Sequence, residues 1–192
     1  TEIYTLSLHD ALPICSGKFI ELKMNTNATL LNEKLIHQIL KSEVTDLVFS
    51  VDSYYKEEFE SLRVNANFEK VVENIKKFKS IKDEFYPNSG CITRASGVQV
   101  SEKQDVKKFE KFWKEYVDFV IMVRMLDRWD LYNNTKDMAA TTPCHYIGRN
   151  LSIYFDGSVN PCDIDYEGKL SVGSVKDSTI YELWKVKKYR RS

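Results

Sequence analysis

The sequence is poor in chain breakers, with 7 Gly and 4 Pro in 192 residues. That excludes collagen-like repeats, Pro-rich linkers and Gly-rich low-complexity tails. It lacks an excess of either charge, since 28 Lys and Arg face 28 Asp and Glu. Long-range steering toward nucleic acid therefore has no source. No apolar run approaches the ~18 residues that span a bilayer; the longest, 119–122, is broken by Arg124. Neither G-x-G-x-x-G nor G-x-x-x-x-G-K-[ST] occurs, which weakens a phosphate-loop nucleotide domain. Cysteine is scarce. Four residues (Cys15, Cys91, Cys144, Cys162) are too few for a disulfide scaffold at this length and fit a reducing compartment. What is present, 43% hydrophobic and 12% aromatic residues, suits a folded domain with a real core.

Residues 1–14 (TEIYTLSLHDALPI) have neither a signal-peptide layout nor a clean strand or helix pattern. They match, residue for residue, the conceptual translation of a common short-read sequencing adapter. We therefore expect a non-native segment here, against the alternative of a native N-terminal strand. Cys15, whose codon is shared with the adapter, is a junction residue on this reading.

The alternation at 19–25 predicts a strand that ends in turn chemistry at Asn25-Thr26-Asn27. Leu31, Leu35, Ile36, Ile39 and Leu40 recur at helical spacing, predicting a helix over 32–41. The run LVFSV at 47–51 reads as a buried parallel strand. Asn67 caps a second helix carrying Phe68, Val71, Val72, Ile75 and Phe78. A strand over 91–100, a helix capped by Ser101 with Phe109, Phe112, Trp113 and Tyr116 on its apolar face, and a strand over 119–123 follow. The order β-α-β-α-β-α-β predicts an α/β fold with parallel strands and right-handed crossovers. Pattern alone leaves an open doubly wound sheet and a piece of a TIM-type barrel equally allowed. Beyond Asp127 the texture is polar, and 128–142 reads as a loop or linker. Asp156-Gly157 between 150–155 and 158–160 predicts a β-hairpin with a two-residue turn. A short helix over 178–188 carries Ile180, Leu183 and Trp184.

Cys144 and Cys162 flank that hairpin as C-x12-G-x4-C, with Gly157 at the turn. A hairpin brings its ends together, so both thiols can meet one metal centre, and thiolates suit zinc or iron–sulfur clusters. Spacing alone also allows two unrelated small core residues. His145 is a further donor on a zinc reading. Cys91, inside an apolar run, reads as inert packing. In either α/β alternative ligands bind at the C-terminal strand ends. Thr26 and Asn27 end the first strand, and Ser50 and Asp52 the second; turn and cap roles remain open for Asn27 and Asp52. The closing run KVKKYRR (185–191) reads as an exposed helix end rather than a nucleic-acid patch.

Together these residues resemble the radical S-adenosylmethionine family with a SPASM/twitch-type C-terminal extension. KMNTNATLL (23–31) is similar to the fourth barrel strand and its loop, and LVFSVDS (47–53) to the fifth strand with its SxD end. EEFESLRVNANFEKVVENIKKF (57–78) resembles the family's entry to the following helix, which adds Arg63 as a candidate. C-x12-G-x4-C followed by LSVGSVKDSTIYELW (170–184) resembles the extension, with Ser174 where Asn is usual.

The resemblance implies the C-terminal half of a partial (βα)6 TIM-like barrel, about strands four to six, followed by a small hairpin-plus-helix extension. The expected division is 1–14 non-native, 15–126 partial barrel, 127–142 linker and 143–192 the start of an iron–sulfur domain. It implies 4Fe–4S clusters and S-adenosylmethionine as cofactors, and a 5′-deoxyadenosyl radical that modifies a substrate. Thr26, Asn27, Ser50, Asp52 and Arg63 are the implied cofactor contacts, and Cys144 and Cys162 the implied ligands of an auxiliary 4Fe–4S cluster. The implied partners are a small-molecule or peptide substrate and a reductant protein such as flavodoxin or ferredoxin, with no nucleic acid and no membrane, in the cytoplasm. The family's C-x3-C-x2-C and its later C-x2-C do not occur here. We therefore expect a stretch cut at both ends and inactive alone. The competing class is a zinc-stabilised α/β binding module without redox chemistry.

Overall fold

The computed structural model describes residues 20–125 and 149–186. The chain divides into two units, Thr1–Leu126 and Asp127–Ser192.

In the first unit four parallel strands, β1 (Lys23–Thr26), β2 (Asp46–Ser50), β3 (Ile92–Gln99) and β4 (Phe119–Arg124), stand side by side in chain order. Between them run α1 (Glu33–Lys41), then α2 (Lys56–Leu62) and α3 (Phe68–Phe85), then α4 (Val106–Trp113). An order without reversal means that every crossover steps in the same direction. With right-handed crossovers all helices then lie on one face, as in a barrel wall and unlike a doubly wound sheet. The core obeys this. Leu47, Phe49, Val51 and Ala95 meet Ile36 and Ile39 of α1, Val71, Ile75 and Phe78 of α3, and Phe109 and Trp113 of α4, all buried. The opposite face carries Asp46 bonded to Arg94 at 2.8 Å, and the exposed Phe119, Ile121 and Val123 of β4. The expected half-barrel α/β class is thus the observed one.

Local chemistry sets the boundaries. Asn32 and Asn67 cap α1 and α3, accepting from the N–H of Leu35 (2.9 Å) and Lys70 (2.7 Å). The first strand is shorter than expected and begins at Lys23, while Phe19 lies outside the described residues. Ser101 does not cap α4. Gln104 Oε1 takes the N–H groups of Val100 (2.6 Å) and Ser101 (3.0 Å), folding 101–104 into a turn, and Asp105 caps instead. Tyr116 falls beyond that helix yet packs edge-to-face with Phe112, with ring centroids 5.6 Å apart. Helix α2 is an addition to the expected order; it buries only Phe59 and so has no apolar periodicity to read.

The second unit holds an antiparallel sheet of β5 (Ser152–Ile153), β6 (Ser158–Asn160) and β7 (Gly173–Ser174), then α5 (Ile180–Trp184). The hairpin forms at the expected place, but its loop has three residues, 155–157. Tyr154 N–H donates to Ser158 O, and Gly157, at φ +89°, donates to Tyr154 O, both at 2.9 Å. A left-handed glycine closing a three-residue loop is the bulged alternative to the tight two-residue turn. Strand β7, two residues long, gave no sequence signal. Thr179 and Glu182 form a capping box on α5, which buries Leu183 and leaves Ile180 and Trp184 exposed.

Candidate functional site

The C-terminal strand ends form a polar rim whose loops are locked by their own side chains. Thr26 Oγ1 accepts the Ala28 N–H at 3.1 Å, and Asn27 Oδ1 accepts the N–H (3.1 Å) and hydroxyl (2.8 Å) of Thr29. Ala28 is fully buried at φ +59°, and Asn74 of α3 donates to its carbonyl at 2.7 Å. Only a small side chain fits a left-handed, buried position there.

Ser50 sits half-buried on the helix-free face of β2, in register with Ser96 of β3. Past it, Val51 N–H donates to Ser96 O at 2.8 Å, Gln104 Nε2 to Asp52 O at 3.0 Å, and Trp113 Nε1 to Ser53 O at 3.0 Å. These bonds hold the Asp52 carboxylate in place. Its Oδ1 accepts the Val98 N–H at 2.9 Å, and its Oδ2 lies 2.7 Å from Arg63 Nη2. Arg63 follows α2 and keeps its Nε buried without a hydrogen-bond partner among the described residues. A fork with one arm anchored and one donor buried unbonded is suited to a planar anion such as a carboxylate.

A cavity of about 590 Å³ opens beside it, lined by Asn27, Thr29, Phe59, Arg63, Asn67 and Lys70 among others. The structure thus brings Asn27 and Arg63 to one cavity, with Asp52 behind Arg63. Thr26 and Ser50 are not among its lining residues. Lys70 and Thr29 were missed from the sequence; Lys70 lies in the first turn of α3, where it reads as a solvated helix residue.

In the second unit Cys162 lies two residues past β6, beyond Pro161, a free and half-buried thiol whose N–H donates to Asn160 Oδ1 at 3.2 Å. Cys144, His145 and Cys15 lie outside the described residues, as do 1–14 and 127–142. Among the described residues no three His, Cys, Asp or Glu side chains gather as a metal site. Cys91 is buried just ahead of β3, and burial pushes its thiol up to about 11. Among the described residues no helix is long and apolar enough to cross a membrane.

Comparison with known proteins gives two kinds of match. Residues 144–192 match the SPASM family, an iron–sulfur cluster-binding domain. Among solved structures the chain is similar to histidine-tagged anSMEcpe with bound AdoMet, at 20% identity and a TM-score of 0.62 over 88% of this chain and 55% of that one. It is similar to Streptococcus suis SuiB bound to S-adenosylmethionine (16% identity, TM-score 0.61, 94% and 52% of the two chains). SuiB bound to its precursor peptide SuiA gives 13% identity and a TM-score of 0.65 over 96% and 52%. At these identities the likeness is one of fold, and the chain spans about half the length of the structures it matches. No curated protein sequence matches the chain. The likeness to radical S-adenosylmethionine enzymes with a SPASM-type domain therefore holds on two grounds, the fold and the C-terminal match.

Proposed function

We propose that this chain is part of a radical S-adenosylmethionine enzyme, with the cofactor's methionine end held at the strand rim and an auxiliary 4Fe–4S cluster held at the hairpin. The observation that carries the reading is the iron–sulfur domain match over the hairpin that ends in Cys162. Cys162 fits such a centre, being a free thiol at a hairpin end with its backbone fixed, and soft thiolate is the ligand chemistry that clusters use. Cys144 supplies the second thiolate. When bound, the cofactors supply reductive radical chemistry. The chain's own residues orient and shield. Arg63 takes the carboxylate of the methionine moiety, Asp52 holds Arg63 in position, and Asn27, Thr26 and Ser50 complete the polar rim.

The division 15–126, 127–142 and 143–192, with 1–14 non-native, goes with this reading. So does a small-molecule or peptide substrate; anSMEcpe and SuiB have both been solved with peptides. A reductant protein such as flavodoxin or ferredoxin, a cytoplasmic setting, and no turnover by this stretch alone complete the reading. Anaerobic reconstitution of the full-length protein with iron and sulfide tests it. Broad absorption in the visible blue that falls in Cys144→Ala and Cys162→Ala is expected. A colourless protein that retains zinc would support the binding-module class instead.

A further inference from the structure

The loop that carries Cys162 is built around two buried polar side chains. Asn160 and Asp165 are 1% and 5% exposed, deeper than most of the second unit. Asn160 uses both ends of its amide. Oδ1 accepts the Cys162 N–H at 3.2 Å, and Nδ2 donates to the Asp165 carboxylate at 2.5 Å and to the Asp165 carbonyl at 3.1 Å. Asp165 returns the grip, since its own N–H donates to Cys162 O at 3.3 Å. Both backbone polar groups of Cys162 are thus bound to this pair. The Asp165 carboxylate also accepts the N–H of Lys169 (3.1 Å) and of Leu170 (2.7 Å), so it gathers the loop up to the start of β7. Tyr154, on the facing arm of the hairpin, closes the set. Its hydroxyl donates to Asp165 O at 2.6 Å and accepts from Asn160 Nδ2 at 3.1 Å.

A buried carboxylate is costly unless hydrogen bonds surround it, and a partly satisfied buried network is worse than an apolar one. A loop that only needed to turn could do so with exposed Asx chemistry, as Asp156 does for Ser158. Burying a formal charge three residues from a ligand has a second effect. Reduction potentials of iron–sulfur centres follow local charge, hydrogen bonding and exposure, and groups behind the ligands orient them.

We infer that Asn160 and Asp165 are positioning residues that clamp the backbone of Cys162 for ligation, and that the fixed Asp165 charge lowers the reduction potential of the centre held there. This rests on the reading that Cys162 ligates an iron–sulfur cluster. The test uses full-length protein reconstituted anaerobically with iron and sulfide, with the electron paramagnetic resonance signal lost in Cys162→Ala serving to assign the centre. In Asp165→Asn, which keeps the shape, we expect that signal to persist and its midpoint potential to rise. In Asn160→Ala we expect iron at this centre to be lost to a chelator about 10- to 100-fold more readily. Asn160→Gln, which keeps the amide, serves as the folding control, with loss intermediate between the two. A wild-type signal whose potential is unmoved in Asp165→Asn and whose iron retention is unmoved in Asn160→Ala overturns the clamp alone, even if both variants melt earlier. A wild-type protein with no Cys162-dependent signal overturns the cluster reading and the clamp together.

Discussion

Arg63 is a cation with one arm committed to Asp52 and its Nε buried without a hydrogen-bond partner among the described residues, and the proposed reading gives it the methionine carboxylate. A hydrogen bond to a charged group contributes about 1.5–3 kcal/mol, and each 1.4 kcal/mol is tenfold in affinity. Arg63→Ala in the full-length protein should therefore weaken S-adenosylmethionine binding by about 10- to 100-fold. Arg63→Lys should recover little, because an ammonium cannot hold Asp52 and a carboxylate in one plane. Isothermal titration decides the matter, and unchanged affinity in Arg63→Ala would remove Arg63 from the binding site. The two described thiols differ in the same residue-level way. Burial raises Cys91 from 9.0 to about 11, so it stays protonated at pH 8, whereas Cys162 is half-buried in a loop. Iodoacetamide on metal-free, reduced, folded protein at pH 8 should label Cys162 well before Cys91, as peptide mapping would show; the reverse order contradicts the core assignment. Because the folded value is raised, the Cys91 contribution to stability is complete below pH 9 and fades as the pH climbs toward 11.

Elements show where sequence patterns suffice. Helices α1 and α3 were legible because a 3.6-residue apolar stripe runs along each, with Asn67 read as the cap of α3; the Asn32 cap of α1 was found in the structure. The parallel strands were legible from short apolar runs between them. Helix α4 moved because Gln104, a residue without a turn signature, captures the two N–H groups ahead of it. The rim was half legible. Asp52 could be placed at a strand end, but its pairing with Arg63 depends on α2, which has no stripe of its own. The Asn160–Asp165 pair was illegible, since polar residues in a loop look alike until burial distinguishes them. Gly97 in β3 was also silent, yet it sets the packing of α4 on the sheet. A Cβ there would stand 2.7 Å from Val51 O and 2.9 Å from Phe109 Cζ. Val51 O is backbone and cannot swing aside, so overpacking of about 1–3 kcal/mol is expected in Gly97→Ala. Urea denaturation should show a lower midpoint with an unchanged slope; a midpoint equal to wild type would mean that β3 and α4 pack less closely than described.

At the scale of the molecule, the first unit has a parallel sheet with helices on one face only. Parallel sheets are ordinarily covered on both faces. Here the other face presents Phe119, Ile121 and Val123 of β4 at 50, 41 and 48% exposure, in a row, with Ile92 and Val98 of β3 alongside. Its charged groups lie at one end, where Asp46 is held by Lys23 at 3.7 Å and by Arg94 at 2.8 Å, with Arg94 lying over the Phe119 ring at 4.8 Å, while Ser50 and Ser96 stand at the other end. A contiguous apolar strip of this kind on a domain's surface is a contact surface or an aggregation hazard. The chain spans about half the length of the solved structures it resembles, so a longer protein has chain enough to cover the strip. The 192-residue stretch expressed alone should then bind the dye ANS and self-associate at micromolar concentration, by light scattering after size exclusion. Ile121→Lys should suppress both, because the residue faces away from the helices and its replacement leaves the core intact. In full-length protein the same substitution should instead destabilise the fold, since it would place an ammonium in a covered face. A stretch that is monodisperse and dye-free, or a full-length protein indifferent to Ile121→Lys, would mean that nothing more of the chain packs on this side of the sheet.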